Sequence, residues 1–180
     1  MISDPVMDYS RPLLPNIISI GGVTVRPPKP LKGALLAYFN EAKHGVIIVS
    51  FGSSVVLPER IVSQMIDCFS KFPQRFLWKL NTRQNQTLPP NMMVLDWMPQ
   101  RDALSHPNVK IFITHCGNNG QYEALYSGVP MIGLPIFGDQ TYNRNRMVYK
   151  GLGIGLETKA VTSQELTLAI NTFLTDLAIP

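Results

Sequence analysis

The sequence predicts an α/β fold, a parallel sheet with helices on both faces. Two observations predict it. From residue 31 onward, short apolar runs alternate with stretches of helical spacing. Runs apolar throughout mark strands buried on both faces. Several of these runs also end directly in turns rich in Gly, Ser or Asn, the carboxyl-end position where such sheets hold ligands.

Each element can be justified in turn. Residues 1–30 are punctuated by Pro5, Pro12, Pro15, Pro27, Pro28 and Pro30, with Gly21-Gly22 between them. They read as an arm or interdomain linker, followed by one domain over 31–180. Leu31 to Ala42 has helical character. Val46 to Val49 is a buried strand, followed by the turn Ser50-Phe51-Gly52-Ser53-Ser54. Pro58 suits the first turn of a helix running to about Phe72, with Ile61, Met65 and Phe69 at spacing four. Arg75 to Lys79 is a strand, Asn81 to Pro90 a polar loop, and Met93 to Leu95 a strand. A short helix ends near Ser105. Val109 to Thr114 is a strand that runs into His115-Cys116-Gly117-Asn118-Asn119-Gly120, and a helix follows from about Asn119 to Ser127. Met131 to Leu134 is a strand, Asp139 to Lys150 a helix and Gly153 to Leu156 a last strand. Thr162-Ser163-Gln164-Glu165 has capping-box form and opens a helix with Leu166, Ile170 and Phe173 on one face.

Composition narrows the function classes. With 180 residues, 45% hydrophobic and 16% charged, the chain can bury a real core and is globular. The net charge of +4 is compatible with an anionic ligand, as it is with an ordinary solvated surface. Charges are interspersed, so no nucleic-acid groove is expected. Cys68 and Cys116 form neither a metal knuckle nor a disulfide framework, and Cys68 reads as a small buried hydrophobe. No run of about 18 apolar residues exists to span a membrane. The most apolar region, Val129 to Phe137, is broken by Pro130 and Pro135. No signal-peptide pattern opens the chain.

Four groups of residues could carry chemistry. The turn His115 to Gly120 delivers a strand into a helix start, where backbone N–H groups and the helix dipole suit a phosphate. It is neither G-x-G-x-x-G nor a P-loop, and alone it is equally a plain strand-to-helix junction. His115 and Cys116 are neighbours whose side chains diverge, which argues against a metal pair. In the turn after the first strand, Gly52 permits close approach and Ser53 offers a hydroxyl; a diphosphate needs donors from two sides. Trp97, before the Pro-stiffened Met98-Pro99-Gln100, can present its face to a planar base or pack in the core. Asp139-Gln140 at a helix start can bind two sugar hydroxyls or act as an ordinary helix opening. Glu123 can accept from a ribose diol or stand as a helix surface charge.

Together these residues resemble the UDP-glycosyltransferase family, the GT-B group that conjugates small lipophilic molecules. The 44 residues from Trp97 to Gln140 resemble the family's donor-binding signature box, which is similarly bounded by a Trp and a Gln. Pro12-Leu13-Leu14-Pro15-Asn16 and Gly21-Gly22 resemble its interdomain linker. Asn119-Gly120-Gln121-Tyr122-Glu123-Ala124 is closer to animal members than to plant ones, while Asn118 and Tyr142 depart from the family's usual wording.

The resemblance implies a Rossmann-like C-terminal half of a GT-B fold that binds a UDP-sugar. Trp97 would stack on uracil, Gln100 touch the ribose and Glu123 hold its hydroxyls. Ser53, His115, Asn119 and Gly120 would hold the diphosphate, and Asp139 and Gln140 the sugar, glucose or glucuronic acid. It implies inversion at the anomeric carbon with no metal and no cofactor. The general base and the pocket for a lipophilic acceptor would lie in an N-terminal half outside this chain, because His44 and His106 stand away from the motifs. The chain alone would then bind donor without turnover. An animal member would sit on the endoplasmic reticulum membrane, with this domain luminal and the anchor elsewhere. A glucuronate carboxylate would want a cation nearby; Arg144 and Arg146 could supply one, but, one turn or more into their helix, they read rather as solvated charges. Two further readings stay open: a nucleotide-sugar-binding subunit, and half of a sugar-nucleotide epimerase.

Overall fold

The computed structural model describes residues 4, 6–53, 55–80 and 88–175. Ser54 and residues 81–87 of the polar loop, both singled out in the sequence, lie outside the described residues. Among the described residues, six strands and six helices follow one another: α1 (Gly33–Asn40), β1 (Val46–Ser50), α2 (Glu59–Phe69), β2 (Arg75–Lys79), β3 (Met92–Leu95), α3 (Gln100–Leu104), β4 (Val109–Thr114), α4 (Asn118–Leu125), β5 (Met131–Gly133), α5 (Gln140–Tyr149), β6 (Gly153–Gly155) and α6 (Ser163–Thr175).

All strand pairs are parallel, in the order β3-β2-β1-β4-β5-β6. The chain builds outward from β1 to β3, returns to lay β4 against the free side of β1, and builds outward again. The order therefore reverses between β1 and β4, and a crevice opens where their carboxyl ends diverge.

Why the central strand residues are apolar is visible in the packing. Alternate residues of each strand enter opposite cores. Ile47, Val49, Phe76, Trp78, Ile111 and Ile113 join Ile61, Met65 and Phe69 of α2 and Leu166 and Ile170 of α6. Ile48, Leu77 and Phe112 face the other way, against Phe39 of α1, Leu104 of α3, Tyr122 of α4 and Met147 of α5. The capping box at α6 is formed reciprocally: Glu165 N–H donates to Thr162 Oγ1 (3.2 Å) and Thr162 N–H to Glu165 Oε2 (2.9 Å).

Residues 6–30 of the arm contain no helix or strand, yet they are strapped to the core under α1, α3 and α4. Met7 is fully buried. Arg26 makes a two-pronged ion pair with Asp102 of α3, both contacts at 2.7 Å. A side chain at Gly22 would collide with the Tyr126 ring, so the arm passes there as bare backbone.

The structure corrects the reading of the two α5 arginines. Arg146 is not solvated: it is 3% exposed. Its Nη1 donates to Asp8 Oδ1 (2.6 Å), and Nη2 to Asn118 Oδ1 (2.9 Å) and Gln121 Oε1 (2.8 Å). Arg144 pairs with Glu157 and reaches the Leu156 carbonyl. Burial of a guanidinium needs acceptors in place, and these come from distant parts of the chain that local spacing does not reveal.

Candidate functional site

The crevice at the switch point is a cleft of about 670 Å³. Its walls come from the end of β1 and the turn after it (Ser50, Gly52, Ser53), Lys79 at the end of β2, Trp97 to Arg101 entering α3, His115 and the start of α4 with Glu123, and Arg26 of the arm. Seven of the nine residues expected to contact ligand line it: Ser53, Trp97, Gln100, His115, Asn119, Gly120 and Glu123.

Trp97 is not a core residue; it is 74% exposed. Lys79 Nζ stands 4.5 Å from its ring centroid, a cation–π contact at the cleft wall. Deeper in, Gln100 Nε2 donates to Glu123 Oε2 at 2.6 Å. That contact joins the start of α3 to the second turn of α4 and fixes the carboxylate toward the cleft. The guanidinium of Arg26 lies close enough to feel Glu123, and its hydrogen bonds hold the Asp102 carboxyl below the usual carboxylate range.

On the other side is the turn from β4 into α4. Thr114 Oγ1 accepts from the Cys116 N–H (3.2 Å), and Cys116 adopts φ 66, the left-handed region. Cys116 is fully buried, and burial pushes its thiol up to about 12, so it is no nucleophile. Gly117 precedes the helix, and no side chain caps α4. The first backbone N–H groups of the helix are thus left for an acceptor in the cleft.

The His115 ring is wedged between two glycines. A Cβ at Gly117 would stand 2.5 Å from His115 Nε2, and one at Gly52 3.0 Å from it. Gly52 also has φ +79. Burial lowers the affinity of the ring for a proton and Lys79 acts in the same sense, while the Ser50 backbone and Asp139 oppose them; the net shift is downward. Nδ1 is buried without a well-formed hydrogen bond.

Asp139 and Gln140 do not line the cleft. Asp139 stands exposed just before α5 without a side-chain capping bond, near enough to His115 to favour its charged form. Gln140 is buried, and its Oε1 accepts from the N–H groups of Ile136 (2.8 Å) and Phe137 (3.0 Å). His44 and His106 precede β1 and β4, at the amino ends of the strands and opposite the cleft.

Lys79, Arg26, Arg101 and Ser50 line the cleft without having been singled out as contacts. Lys79 had a signal: a cation closing the apolar run Arg75 to Lys79, at a carboxyl end. Arg26 had none, since its place depends on how the arm folds back.

Comparison with known proteins identifies the family and matches the fold. The family model described as "UDP-glucoronosyl and UDP-glucosyl transferase" matches residues 1–178. Human UDP-glucuronosyltransferase 1A4 is 40% identical over 175 residues, covering 96% of this chain and 33% of that protein. Human UDP-glucuronosyltransferase 1A9 is 39% identical, covering 97% and 33%. The chain thus spans about a third of the length of these relatives. Among solved structures, the glycotransferase of kitacinnamycin aligns with a TM-score of 0.68 at 28% identity, over 75% of this chain and 36% of that one. Os79 from O. sativa in complex with UDP aligns with a TM-score of 0.69 at 19% identity, over 78% and 34%, a likeness of fold alone.

Proposed function

The chain belongs to the UDP-glucoronosyl and UDP-glucosyl transferase family, and on that premise we propose that it is the part that binds the nucleotide-sugar donor. The observation that carries the proposal is the convergence, in one switch-point cleft, of an exposed Trp97 ring, the Gln100–Glu123 pair and the uncapped start of α4. A planar base on Trp97, a ribose diol at Glu123 and Gln100, and a diphosphate at Ser53, His115, Asn119 and Gly120 would follow one another along that cleft. The sugar would then lie toward Asp139 and Gln140. Gln140 would serve it through its amide N–H groups, because its carbonyl oxygen is held by the backbone.

In the reaction we propose, an acceptor oxygen attacks the anomeric carbon and its configuration inverts. The bond from that carbon to the diphosphate oxygen breaks, and UDP leaves with the electron pair. Negative charge grows on the diphosphate, where the N–H groups of α4 and the His115 ring are already oriented. The acceptor's proton passes to a base outside this chain, since both other histidines lie at the opposite end of the sheet. This chain alone would bind donor without transferring it. The glucose or glucuronate donor, the lipophilic acceptor and a luminal place at the endoplasmic reticulum membrane belong to the same proposal for the whole protein. No helix among the described residues is long and apolar enough to cross a membrane.

Calorimetric titration of the 180-residue chain with UDP, UDP-glucose and UDP-glucuronate tests the reading, with Trp97→Ala as the control. UDP binding weakened about 5- to 150-fold by Trp97→Ala is the expected result, from stacking energies of about 1–3 kcal/mol. Binding indifferent to Trp97 would overturn the assigned base site. If nothing binds, the titration is repeated on the full-length protein, and failure there overturns the donor reading. Transfer to an acceptor by this chain alone would sink the division of labour.

A further inference from the structure

Asn143, in the first turn of α5, lines no part of the cleft and is 3% exposed. Its side-chain amide nevertheless touches both halves of the proposed site. Nδ2 donates to the Cys116 carbonyl (3.1 Å), within the turn that opens α4, and to Asp139 Oδ2 (2.8 Å). An amide NH2 has two hydrogens, and both are committed here. The backbone holds Asn143 in place: its N–H donates to the Asp139 carbonyl (2.9 Å), and its own carbonyl accepts from Gln121 Nε2 (3.0 Å). Gln121 is in turn held by Arg146.

The two acceptors share no element. Cys116 lies between β4 and α4, and Asp139 lies between β5 and α5. Cys116 has a backbone conformation that a residue with a side chain adopts at a cost, so a buried donor on its carbonyl has a specific task. Asp139 is exposed, and without a partner its carboxylate would sample several rotamers. With Oδ2 held by Asn143, Oδ1 is turned to a defined direction.

We infer that Asn143 is a positioning residue that ties the phosphate-binding turn to the sugar-binding carboxylate, so that the two are set at a fixed separation before donor arrives. The inference rests on the donor-binding reading above. It differs from a purely structural role in what it does to ligands. Uridine reaches only Trp97, Gln100 and Glu123, UDP adds the turn, and UDP-glucose adds Asp139.

The test is titration of Asn143→Ala and Asn143→Asp with uridine, UDP and UDP-glucose. Uridine affinity stays within about twofold, UDP weakens, and UDP-glucose weakens most, by about tenfold or more. Asn143→Asp keeps the shape but sets an acceptor against two acceptors, so it loses more than Asn143→Ala. In an Asp139→Ala background, the extra loss for UDP-glucose over UDP disappears. Equal weakening of all three ligands, or an extra loss that persists without Asp139, overturns the inference. If the unaltered chain binds none of the three, the donor reading has failed, and amide exchange still tests the tie. Faster exchange at both Cys116 to Gly120 and Phe137 to Asp139 in Asn143→Ala, with α2 unchanged, supports it; unchanged exchange at either segment refutes it.

Discussion

The cleft wall made by α3 and α4 and the β5–α5 connection beside it use polar residues in opposite ways. On the first, Trp97 is exposed and Gln100 and Glu123 touch little except each other. On the second, Gln140 caps the backbone of Ile136 and Phe137, Asn143 binds Cys116 and Asp139, and Arg146 is surrounded by Asp8, Asn118 and Gln121. Under the proposed donor reading, a base and ribose would meet groups that are free to be used, whereas a sugar would meet groups already holding the fold. Substitutions should therefore separate cleanly: binding lost without stability on the first side, stability lost together with binding on the second.

The sharpest way to break that contrast is Arg146→Ala. It leaves the Asp8 carboxylate buried without its cation and strips a donor from Asn118 and Gln121. Removing one partner of a buried pair costs about 3–5 kcal/mol, read as a lower denaturation midpoint in urea. Arg146→Lys recovers only part of this, because one ammonium cannot reproduce a fork that serves three acceptors. A loss below about 1 kcal/mol would mean that Asp8 and its arm contribute little.

Gln140→Ala comes next. Two part-buried backbone N–H groups lose their acceptor, and each such hydrogen bond contributes about 0.5–1.5 kcal/mol. Trp97→Ala, at a ring that is 74% exposed, should stay within about 0.5 kcal/mol of the unaltered chain in the same denaturation series. If Trp97→Ala destabilises as much as Gln140→Ala, the contrast between the two sides fails.

The same contrast explains what the sequence revealed. The strands were legible nearly to the residue because buried parallel strands carry an apolar run, as in Val46 to Val49. The cleft residues were legible where a turn sits at a strand's carboxyl end, a rule of topology that needs no tertiary detail; seven of nine candidates meet there. Arg146 was misread because a charged residue mid-helix looks solvated unless its distant acceptors are known, and Asp8 is far away in the chain. Asn143 gave no signal for the same reason. The order of the strands was equally hidden. It depends on β4 returning to β1, a pairing across the whole first half of the domain.

The smallest effect concerns His115, which belongs to neither side and lies between them. Its affinity for a proton is lowered mainly by burial, so near neutral pH the ring is uncharged in the free cleft. A diphosphate beside it would favour the charged form and raise that affinity. The sign follows from linkage: a ligand that raises the proton affinity binds more tightly as pH falls through the bound-state value, levelling off below the free-state value. UDP-glucose is the right probe, because its diphosphate takes up no proton near neutral pH, whereas UDP does. Its affinity should rise by less than about tenfold between pH 7.5 and 5.5, and His115→Gln should flatten the rise. Stability moves the opposite way. The folded state prefers the neutral ring, so stability falls as pH drops below the unfolded value of about 6.5 toward the folded one. His106, also shifted down by burial, adds to that fall, so only the part removed by His115→Gln belongs to the cleft. A pH profile for UDP-glucose that is unchanged in His115→Gln would mean that the diphosphate does not lie against this ring. The turn at α4 would then bind its anion through backbone groups alone.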